Sequence, residues 1–298
     1  MPKPILVTGA AGAVGHAVCE YLIKQGLKVR AMVRMADERS VRLVEQGAEI
    51  IIGDLLDLQA VHRAIEGCDR MYFGMSVSPS YLEATVNTAA VAKYHKVAAF
   101  VNISQMTVSE MSVTATTDSP QQKLHWLAEQ ALDWSGLPVV HVRPTAFLDT
   151  FFLRLSRQSI RDNHQIRLPF GNGKISPIAS SDVAAVVATI LQNPVDYLGN
   201  IYELTGLRSQ NIEEIAAEFS AALDQTITYV DVPWELWRKR LEESGMLTPH
   251  VLAHLSTMAL LIQKNRYDRL TGDVEKIIKR PPLGVAQFVK QHAKSYQV

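Results

Sequence analysis

The sequence has little of several features that mark whole classes of protein. Only two of its 298 residues are cysteine, Cys19 and Cys68, which is too few for a disulfide framework or a cysteine-rich zinc site. We therefore expect both to be reduced thiols in a cytoplasmic protein. No apolar run reaches the length of about 18 residues that a membrane span needs. No charged segment followed by a long apolar stretch marks a signal peptide.

The chain also lacks an excess of charge of either sign. Lys and Arg together number 30, and so do Asp and Glu. This balance argues against a nucleic acid or an anionic membrane as a partner, because both attract strongly basic surfaces. Apolar residues, in contrast, make up 47% of the chain. That is ample for a sizeable core in one large domain or in two intertwined ones.

Strand and helix patterns alternate through the first half of the chain. Short apolar runs predict strands at 5–7, 27–33, 48–54, 69–75, 98–104 and 137–143, with helical spacing between successive runs. Such alternation predicts an α/β fold with a Rossmann-like, doubly wound parallel sheet. Ligands of these sheets bind beyond the carboxyl ends of the strands.

Three glycines stand where the first strand gives way to the first helix. Gly9, Gly12 and Gly15 lie three residues apart. Glycine permits a tight turn and a close approach of ligand to backbone, and the N–H groups at a helix start bind anions. The pyrophosphate of a dinucleotide is the usual ligand of such a turn, and a purely structural glycine turn is the alternative. The candidate cofactor-binding residues here are Thr8, Gly9, Ala11, Gly12, Ala13, Val14 and Gly15.

The end of the second strand indicates which dinucleotide binds. An NAD site usually has an acidic residue there, to bond the ribose, but this strand is followed by Arg34. A guanidinium suits a 2′-phosphate, so we expect NADP, with NADPH preferred over NADH. Asp37 fits better as a helix cap. Asp54 faces the adenine or only caps the next helix. Further cofactor candidates follow later strands: Leu55, Gly74, Met75, Ser76, Ser104, Pro144 and Thr145.

The second half of the chain has a looser pattern. After Pro144, helical runs dominate 209–223, 234–245 and 249–266, and one more strand is indicated at 200–206. We expect residues 1–143 to form the dinucleotide-binding Rossmann domain, which also receives about 180–205. Residues 144–179 and 206–298 would form a smaller, mainly helical substrate lobe that closes one side of the cleft.

The glycine pattern "TGAAGAVG" resembles the fingerprint of the short-chain dehydrogenase/reductase superfamily, in its extended and atypical branches. Reductases of that superfamily usually carry a Tyr-x-x-x-Lys pair on the helix after the fifth strand. At that spacing this chain has Gln121 and His125, and Lys123 is two residues out of phase. The standard tyrosine mechanism is therefore disfavoured.

A narrower resemblance covers nearly the whole chain. The segment "HWLAEQALDWSGLPVVHVRPTAF" (125–147) is similar to the H-x-x-x-E…SG…R-P/N segment of the NmrA-like family, and 171–187, 200–206 and 273–292 also resemble it. That family includes type-2 NAD(P)H:quinone oxidoreductases, triphenylmethane reductases and redox-sensing regulators without enzymatic activity. In the quinone reductase branch, the histidine matching His125 lies in the cleft near the nicotinamide.

The resemblance implies an NADPH-dependent oxidoreductase that passes hydride directly to a quinone or a similar flat, apolar, electron-poor acceptor. His125, whose side chain ordinarily titrates near neutral pH, and Ser104 are the candidate catalytic residues. A histidine on the helix surface and a hydroxyl bonded to local backbone are the alternatives. The candidate substrate contacts are Met75, Met106, Phe147, Phe151 and Phe152. No metal site is indicated.

Two other functions remain open at this point. A non-catalytic NADP(H) sensor that docks a protein partner would explain the missing Tyr-x-x-x-Lys pair. A sugar-nucleotide epimerase or dehydratase of the extended branch is disfavoured by the same absence. The sequence indicates neither the acceptor nor the oligomeric state.

Overall fold

A seven-stranded parallel sheet forms the centre of the computed structural model, which describes residues 2–297. Its strands are β1 (Ile5–Val7), β2 (Val29–Val33), β3 (Glu49–Ile52), β4 (Arg70–Phe73), β5 (Ala99–Ile103), β6 (Val139–Pro144) and β8 (Ile201–Leu204). They lie in the order β3-β2-β1-β4-β5-β6-β8, and every neighbouring pair is parallel. The predicted fold class is thereby confirmed.

Helices cover both faces of this sheet. Those of the first half are α1 (Ala13–Lys24), α2 (Glu38–Glu45), α3 (Leu58–Ile65), α4 (Tyr81–Tyr94) and α5 (Pro120–Ser135). Those of the second half are α6 (Arg157–Asn163), α7 (Ser180–Gln192), α8 (Ile212–Leu223), α9 (Trp234–Glu243), α10 (Pro249–Gln263), α11 (Asp273–Ile278) and α12 (Val285–Gln291). Short 3-10 helices span Met106–Glu110, Pro194–Asp196 and Ala293–Ser295, and a π-helical segment spans Asp149–Leu155.

Side chains that alternate along the strands fill two cores, one on each face. Ile5 and Val7 face a core that α1, α7 and α11 cover. Leu6, between them, faces the opposite core, under α3, α4 and α5. This alternation follows from the two-residue period of a strand, and burial on both faces explains the continuously apolar strand sequences.

The order of the strands reverses around β1. The chain proceeds from β1 to β2 and β3 on one side, and β4 lies on the other. A crevice opens at the carboxyl ends of the strands where such a reversal occurs. The glycine turn follows β1 and the loop beginning at Gly74 follows β4, so both border this crevice.

The second half of the chain contributes to the sheet and also builds a separate core. Within this half, α7 packs on the sheet and β8 joins it beside β6. Other elements enclose a third apolar core, separate from the two on the faces of the sheet, which includes Phe152, Phe219, Trp237 and Phe288. The division into a Rossmann domain and a substrate lobe stays a prediction.

The second half also contains a small sheet that the sequence pattern did not indicate. Strands β7 (Gln165–Leu168) and β9 (Thr228–Asp231) form a parallel pair. Each has four residues, so neither provides enough alternation to be distinguished from the flanking helical runs.

Two sequence features can be placed in the fold. Cys19 and Cys68 are both buried free thiols, and burial raises the pKa of Cys19 to about 12 and that of Cys68 to about 11. None of the helices in residues 2–297 has both the length and the apolarity to cross a membrane.

Candidate functional site

The three positions of the first turn are occupied by glycine for different structural reasons. Gly9 has φ +59°, and a Cβ there would lie 2.5 Å from the carbonyl oxygen of Gly74. A Cβ on Gly15 would lie 2.4 Å from the carbonyl oxygen of Gly9. These two glycines therefore let the turn pack against the loop after β4 and against the first turn of α1.

The protein atoms around Gly12 require a glycine less strictly than those around Gly9 and Gly15 do. Its φ is −82°, and a Cβ would meet only the Gly9 carbonyl oxygen, at 3.2 Å. It occupies the N-cap of α1 without a capping side chain. The first N–H groups of the helix, at Ala13 and Val14, thus face away from any side-chain acceptor, as an anion-binding helix start requires.

Thr8 stabilises the glycine turn through hydrogen bonds of its side chain. It is fully buried, and its hydroxyl donates to the carbonyl oxygen of Gly74 at 3.0 Å and accepts from the Gly74 N–H at 2.9 Å. Because both interactions join β1 to the loop after β4, the Thr8 side chain stabilises the turn, and the cofactor contact of Thr8 stays a prediction.

Arginines surround the loop after β2. Arg34 is exposed beside the end of that strand, and its contact with a 2′-phosphate stays a prediction. Arg39, which the sequence pattern did not single out, extends over the glycine turn and donates from Nη1 to the carbonyl oxygen of Ala11 at 3.0 Å. The site thus has two guanidinium groups close to where the ribose of a bound dinucleotide would lie.

Asp37 is the helix cap that its position suggested. Its Oδ1 accepts from the backbone N–H groups of Arg39 and Ser40, at 3.0 and 3.1 Å. Its Oδ2 accepts from Nε and Nη2 of Arg39, at 2.9 and 2.6 Å. The bond to the Arg39 side chain is the main cause that holds the pKa of Asp37 below its ordinary value. Both carboxylate oxygens are thus engaged, and Asp37 is not free to bond a ribose.

The loop after β3 excludes one of the two expected roles of Asp54, the cap of α3, and its contact with the adenine stays a prediction. Asp54 is exposed, and its Oδ1 accepts from the N–H of Leu56 at 3.0 Å. The cap of α3 is Asp57, so Asp54 stabilises its own turn. Leu55 is buried, Met75 is half-buried against the core under α3–α5, and Ser76 is exposed.

Buried hydroxyls end the next two strands. Ser104 follows β5 and Thr145 follows β6, and each is 4% exposed. Their backbone N–H groups continue the sheet, donating to Val142 and Leu204. Ser104 Oγ and Thr145 Oγ1 have no hydrogen-bond partner in residues 2–297. The alternative of a Ser104 hydroxyl bonded to local backbone is therefore wrong. Pro144 is the last residue of β6, and its contact with the cofactor stays a prediction.

His125 lies inside the molecule instead of on the surface of α5. It is 9% exposed and its ring packs on Tyr81, with ring centroids 4.2 Å apart. Burial, and secondarily the nearby His254, lower the pKa of His125 to about 3. The expectation that it titrates near neutral pH is therefore wrong, because its surroundings disfavour a charged imidazole. Its Nδ1 is buried without a partner in the described chain.

A polar network lies behind His125, between α5 and α10. Ser119 Oγ is 3.0 Å from His254 Nδ1, and Gln121 Oε1 is 2.9 Å from His250 Nε2. Burial lowers the pKa of His254 to about 4. The sequence could not indicate this network, because α5 and α10 are more than a hundred residues apart along the chain.

A buried ion pair fixes α5 against the sheet. Arg143, on β6, donates from Nε and Nη2 to the two carboxylate oxygens of Glu129, at 3.0 and 2.5 Å. The Glu129 side chain is 2% exposed. Since Glu129 is one turn beyond His125 on the same helix, this bidentate pair sets the orientation of the helix face that carries His125.

Two of the predicted substrate contacts are wrong. Phe151 and Phe152 are fully buried in the core of the second half, where they pack on Phe170 and Phe219 at ring-centroid distances of 5.2 and 5.3 Å. Phe147 is half-buried and Met106 is buried at the start of its 3-10 helix. Within residues 2–297, no group of three or more potential metal ligands occurs.

Comparison with known proteins adds the family. The model of the NmrA-like family matches residues 1–283. The chain belongs to the NmrA-like family. The resemblance seen in the sequence is thereby confirmed.

Relatives in this NmrA-like group include proteins with named activities. The chain is 28% identical, over 295 residues, to the NAD(P)H azoreductase of Xenophilus azovorans, covering 98% of this chain and 99% of the relative. The NADPH-dependent quinone oxidoreductase of Escherichia coli, solved with NADPH, aligns with a TM-score of 0.83 at 22% identity, covering 97% of this chain and 99% of the other. NmrA, a negative transcriptional regulator solved with NADP, aligns at 0.79 and 16% identity, covering 97% and 95%. At these identities the two solved structures establish the fold alone.

Proposed function

We propose that this NmrA-like protein is an NADPH-dependent reductase that transfers hydride directly to a quinone or a similar flat, apolar, electron-poor acceptor. The observation that carries the proposal is the turn after β1. Gly12 leaves the start of α1 uncapped, and Arg34 and Arg39 border the adjoining loop while Asp37 is fully engaged. The azoreductase and quinone oxidoreductase named above support a reductase.

The residues present fit NADP at this site. The N–H groups of Ala13 and Val14 would bind the pyrophosphate, and Gly12 would allow its approach. Arg34 and Arg39 would bind the 2′-phosphate through charge-assisted hydrogen bonds. The bound nicotinamide would supply the hydride.

The chain's own contribution at the reacting end is orientation rather than acid catalysis. With a pKa of about 3, His125 is neutral at physiological pH, so it can hold an acceptor oxygen by an N–H but cannot act as an imidazolium acid. Ser104 Oγ, buried and unpartnered in the described chain, would donate a second hydrogen bond. A quinone spreads the developing charge over its ring, so it needs less acid assistance than a ketone. That tolerance suits a site without the Tyr-x-x-x-Lys pair.

A second candidate is a non-catalytic NADP(H) sensor that docks a protein partner. The neutral His125 and the missing tyrosine favour it, and the NmrA regulator shares the fold. Steady-state oxidation of NADPH, measured with a panel of quinones and azo dyes, separates the two candidates. Turnover that saturates with acceptor supports the reductase. Tight NADPH binding with no oxidation by any acceptor in the panel supports the sensor.

A further inference from the structure

Gln121 has a buried amide group whose oxygen is hydrogen-bonded and whose nitrogen is not. It lies in the first turn of α5 and is 0% exposed. Its Oε1 accepts from the backbone N–H of Ser78 at 3.1 Å and from His250 Nε2 at 2.9 Å. The Ser78 N–H can only donate, so the amide cannot be flipped without placing two donors together.

The other half of the amide has nothing to bind. Gln121 Nε2 is buried without a hydrogen-bond partner in residues 2–297. An amide N–H₂ removed from water and left unpaired destabilises a fold, so buried donors normally have partners. The hydrogen bonds from Ser78 and His250 therefore fix the orientation of the amide. They leave its N–H₂ group for a ligand that is not part of the chain.

The position of this donor connects it with the reacting end of the site. Gln121 and His125 are four residues apart on α5, so they share one face of the helix. Nδ1 of His125 is likewise buried and unpartnered within the described chain. Tyr81, which packs on His125, donates its hydroxyl to the carbonyl oxygen of Ile103, next to Ser104.

We propose that Gln121 Nε2 donates a hydrogen bond to the oxygen or nitrogen atom of the acceptor on which negative charge develops. This inference rests on the proposed reductase function. The bound reduced nicotinamide would supply the hydride, a hydrogen with its electron pair, to the acceptor. A quinone becomes the hydroquinone monoanion, which takes a proton from water. Gln121 transfers no proton; it stabilises the oxygen that gains charge.

The chemistry of the donor defines the class of acceptor. Gln121 is uncharged and its neighbours His125 and His250 have pKa values lowered by burial. A site of neutral donors favours neutral acceptors with a lone pair beside the reacting centre, such as a quinone carbonyl or an azo nitrogen. A triarylmethyl cation, which takes hydride on carbon and has no lone pair there, gains nothing from this donor.

Two substitutions separate the donor from the rest of the side chain. Gln121→Glu keeps an oxygen for Ser78 and His250 but removes the N–H₂ group. Gln121→Met removes the donor without adding a charge, so it serves if the buried carboxylate prevents folding. The matched control is Gln130→Glu, the same change at a half-buried glutamine of the same helix.

The first readout is binding without turnover. Calorimetry with the protein saturated with NADP⁺ measures the dissociation constant of a quinone. One lost neutral hydrogen bond weakens binding by about 3- to 10-fold. We expect that loss in a folded Gln121→Glu or Gln121→Met variant, with NADP⁺ affinity unchanged, and no measurable change in quinone affinity in Gln130→Glu.

The second readout is the choice between acceptors. We expect kcat/KM for the quinone to fall about 10- to 100-fold in the Gln121 variants, because the hydrogen bond strengthens as charge develops, while kcat/KM for a triarylmethyl cation changes little. An unchanged quinone dissociation constant in both folded variants, or equal losses for the two acceptors, would overturn the proposal. Wild-type protein that oxidises no NADPH contradicts the reductase function instead, and the dissociation constant still reports on Gln121.

Discussion

Arg34 and Arg39 are the residues on which the choice between NADPH and NADH depends. Arg34 has an exposed guanidinium beside the end of β2, and Arg39 shares its guanidinium between Asp37 and the Ala11 carbonyl. A hydrogen bond to a charged group contributes about 1.5–3 kcal/mol, with exposed contacts at the low end. The less engaged arginine should therefore make the larger difference.

Replacing Arg34 by Ala should weaken NADPH binding about 10-fold and leave NADH binding nearly unchanged. The preference should also shrink as salt rises, because the contact is electrostatic and near the surface. The measurement is the pair of dissociation constants at low and high salt. Arg42→Ala, at the other end of α2, is the control. Equal wild-type affinities for the two cofactors would mean that Arg34 is only a solvated loop residue.

Gly12 offers a test of the pyrophosphate site itself. A Cβ there meets only the Gly9 carbonyl oxygen, at 3.2 Å, so Gly12→Val should fold but lose measurable NADPH binding. Gly272→Val is the matched control, since Gly272 is also an N-cap glycine with negative φ, and a Cβ there meets nothing within 4 Å. Thermal unfolding and calorimetry check the two variants. Unchanged NADPH affinity in folded Gly12→Val would exclude dinucleotide binding at this turn.

At the scale of elements, the bidentate Glu129–Arg143 pair joins α5 to β6. Removing one member of a buried ion pair leaves an uncompensated charge, which costs about 3–5 kcal/mol. Glu129→Gln should therefore lower the free energy of unfolding by about 3 kcal/mol in a denaturant titration. Glu243→Gln, which breaks the exposed Lys239–Glu243 pair on α9, should change it by less than about 1 kcal/mol. Equal effects of the two substitutions would show that the buried pair does not anchor α5.

The contact between α5 and α10 predicts how stability depends on pH. In the folded chain the pKa values of His125 and His254 are lowered to about 3 and about 4, whereas unfolded histidine has a pKa of about 6.5. Below about pH 6.5 the unfolded state thus binds more protons, so stability falls as pH falls until these folded pKa values are reached.

Between pH 7 and pH 5, each of these histidines should remove about 2 kcal/mol from the free energy of unfolding. Urea titrations of wild type and His254→Gln across that range measure the difference. The variant should lose about 2 kcal/mol less than wild type. The same pH dependence in both proteins would contradict the buried, neutral state of His254.

The elements that the sequence predicted well are those whose pattern is local. The strands of the first half and the glycine turn are contiguous in sequence, and their boundaries differ from expectation by one or two residues at most ends. Arg39 was missed because its reach to Ala11 depends on the direction of α2. Phe151 and Phe152 were misplaced because only the packing of the second half decides whether an aromatic run faces a cleft or a core. The low pKa of His125 arises mainly from its burial and secondarily from His254 on α10, and both depend on packing between segments distant in sequence.

For the molecule as a whole, charged contacts join the sheet to the second half of the chain. Glu110, after β5, accepts from Arg269 beyond α10, at 2.5 Å. Asp182, on α7, is paired with Arg280 at 2.7 Å and accepts from the N–H of Leu283 at 2.6 Å. These contacts join the segment after β5 and the start of α7 to the C-terminal part of the chain.

The most direct test of the central proposal is an anaerobic single turnover. Protein saturated with NADPH is mixed with excess quinone, and the absorbance of the reduced nicotinamide is followed, with Gly12→Val as the control. We expect a single exponential loss of reduced nicotinamide in the wild type, with a rate that saturates with quinone, and no acceleration above the uncatalysed reaction in Gly12→Val. Bound NADPH that is lost only at the uncatalysed rate in the wild type, with every quinone tested, would exclude the proposed hydride transfer.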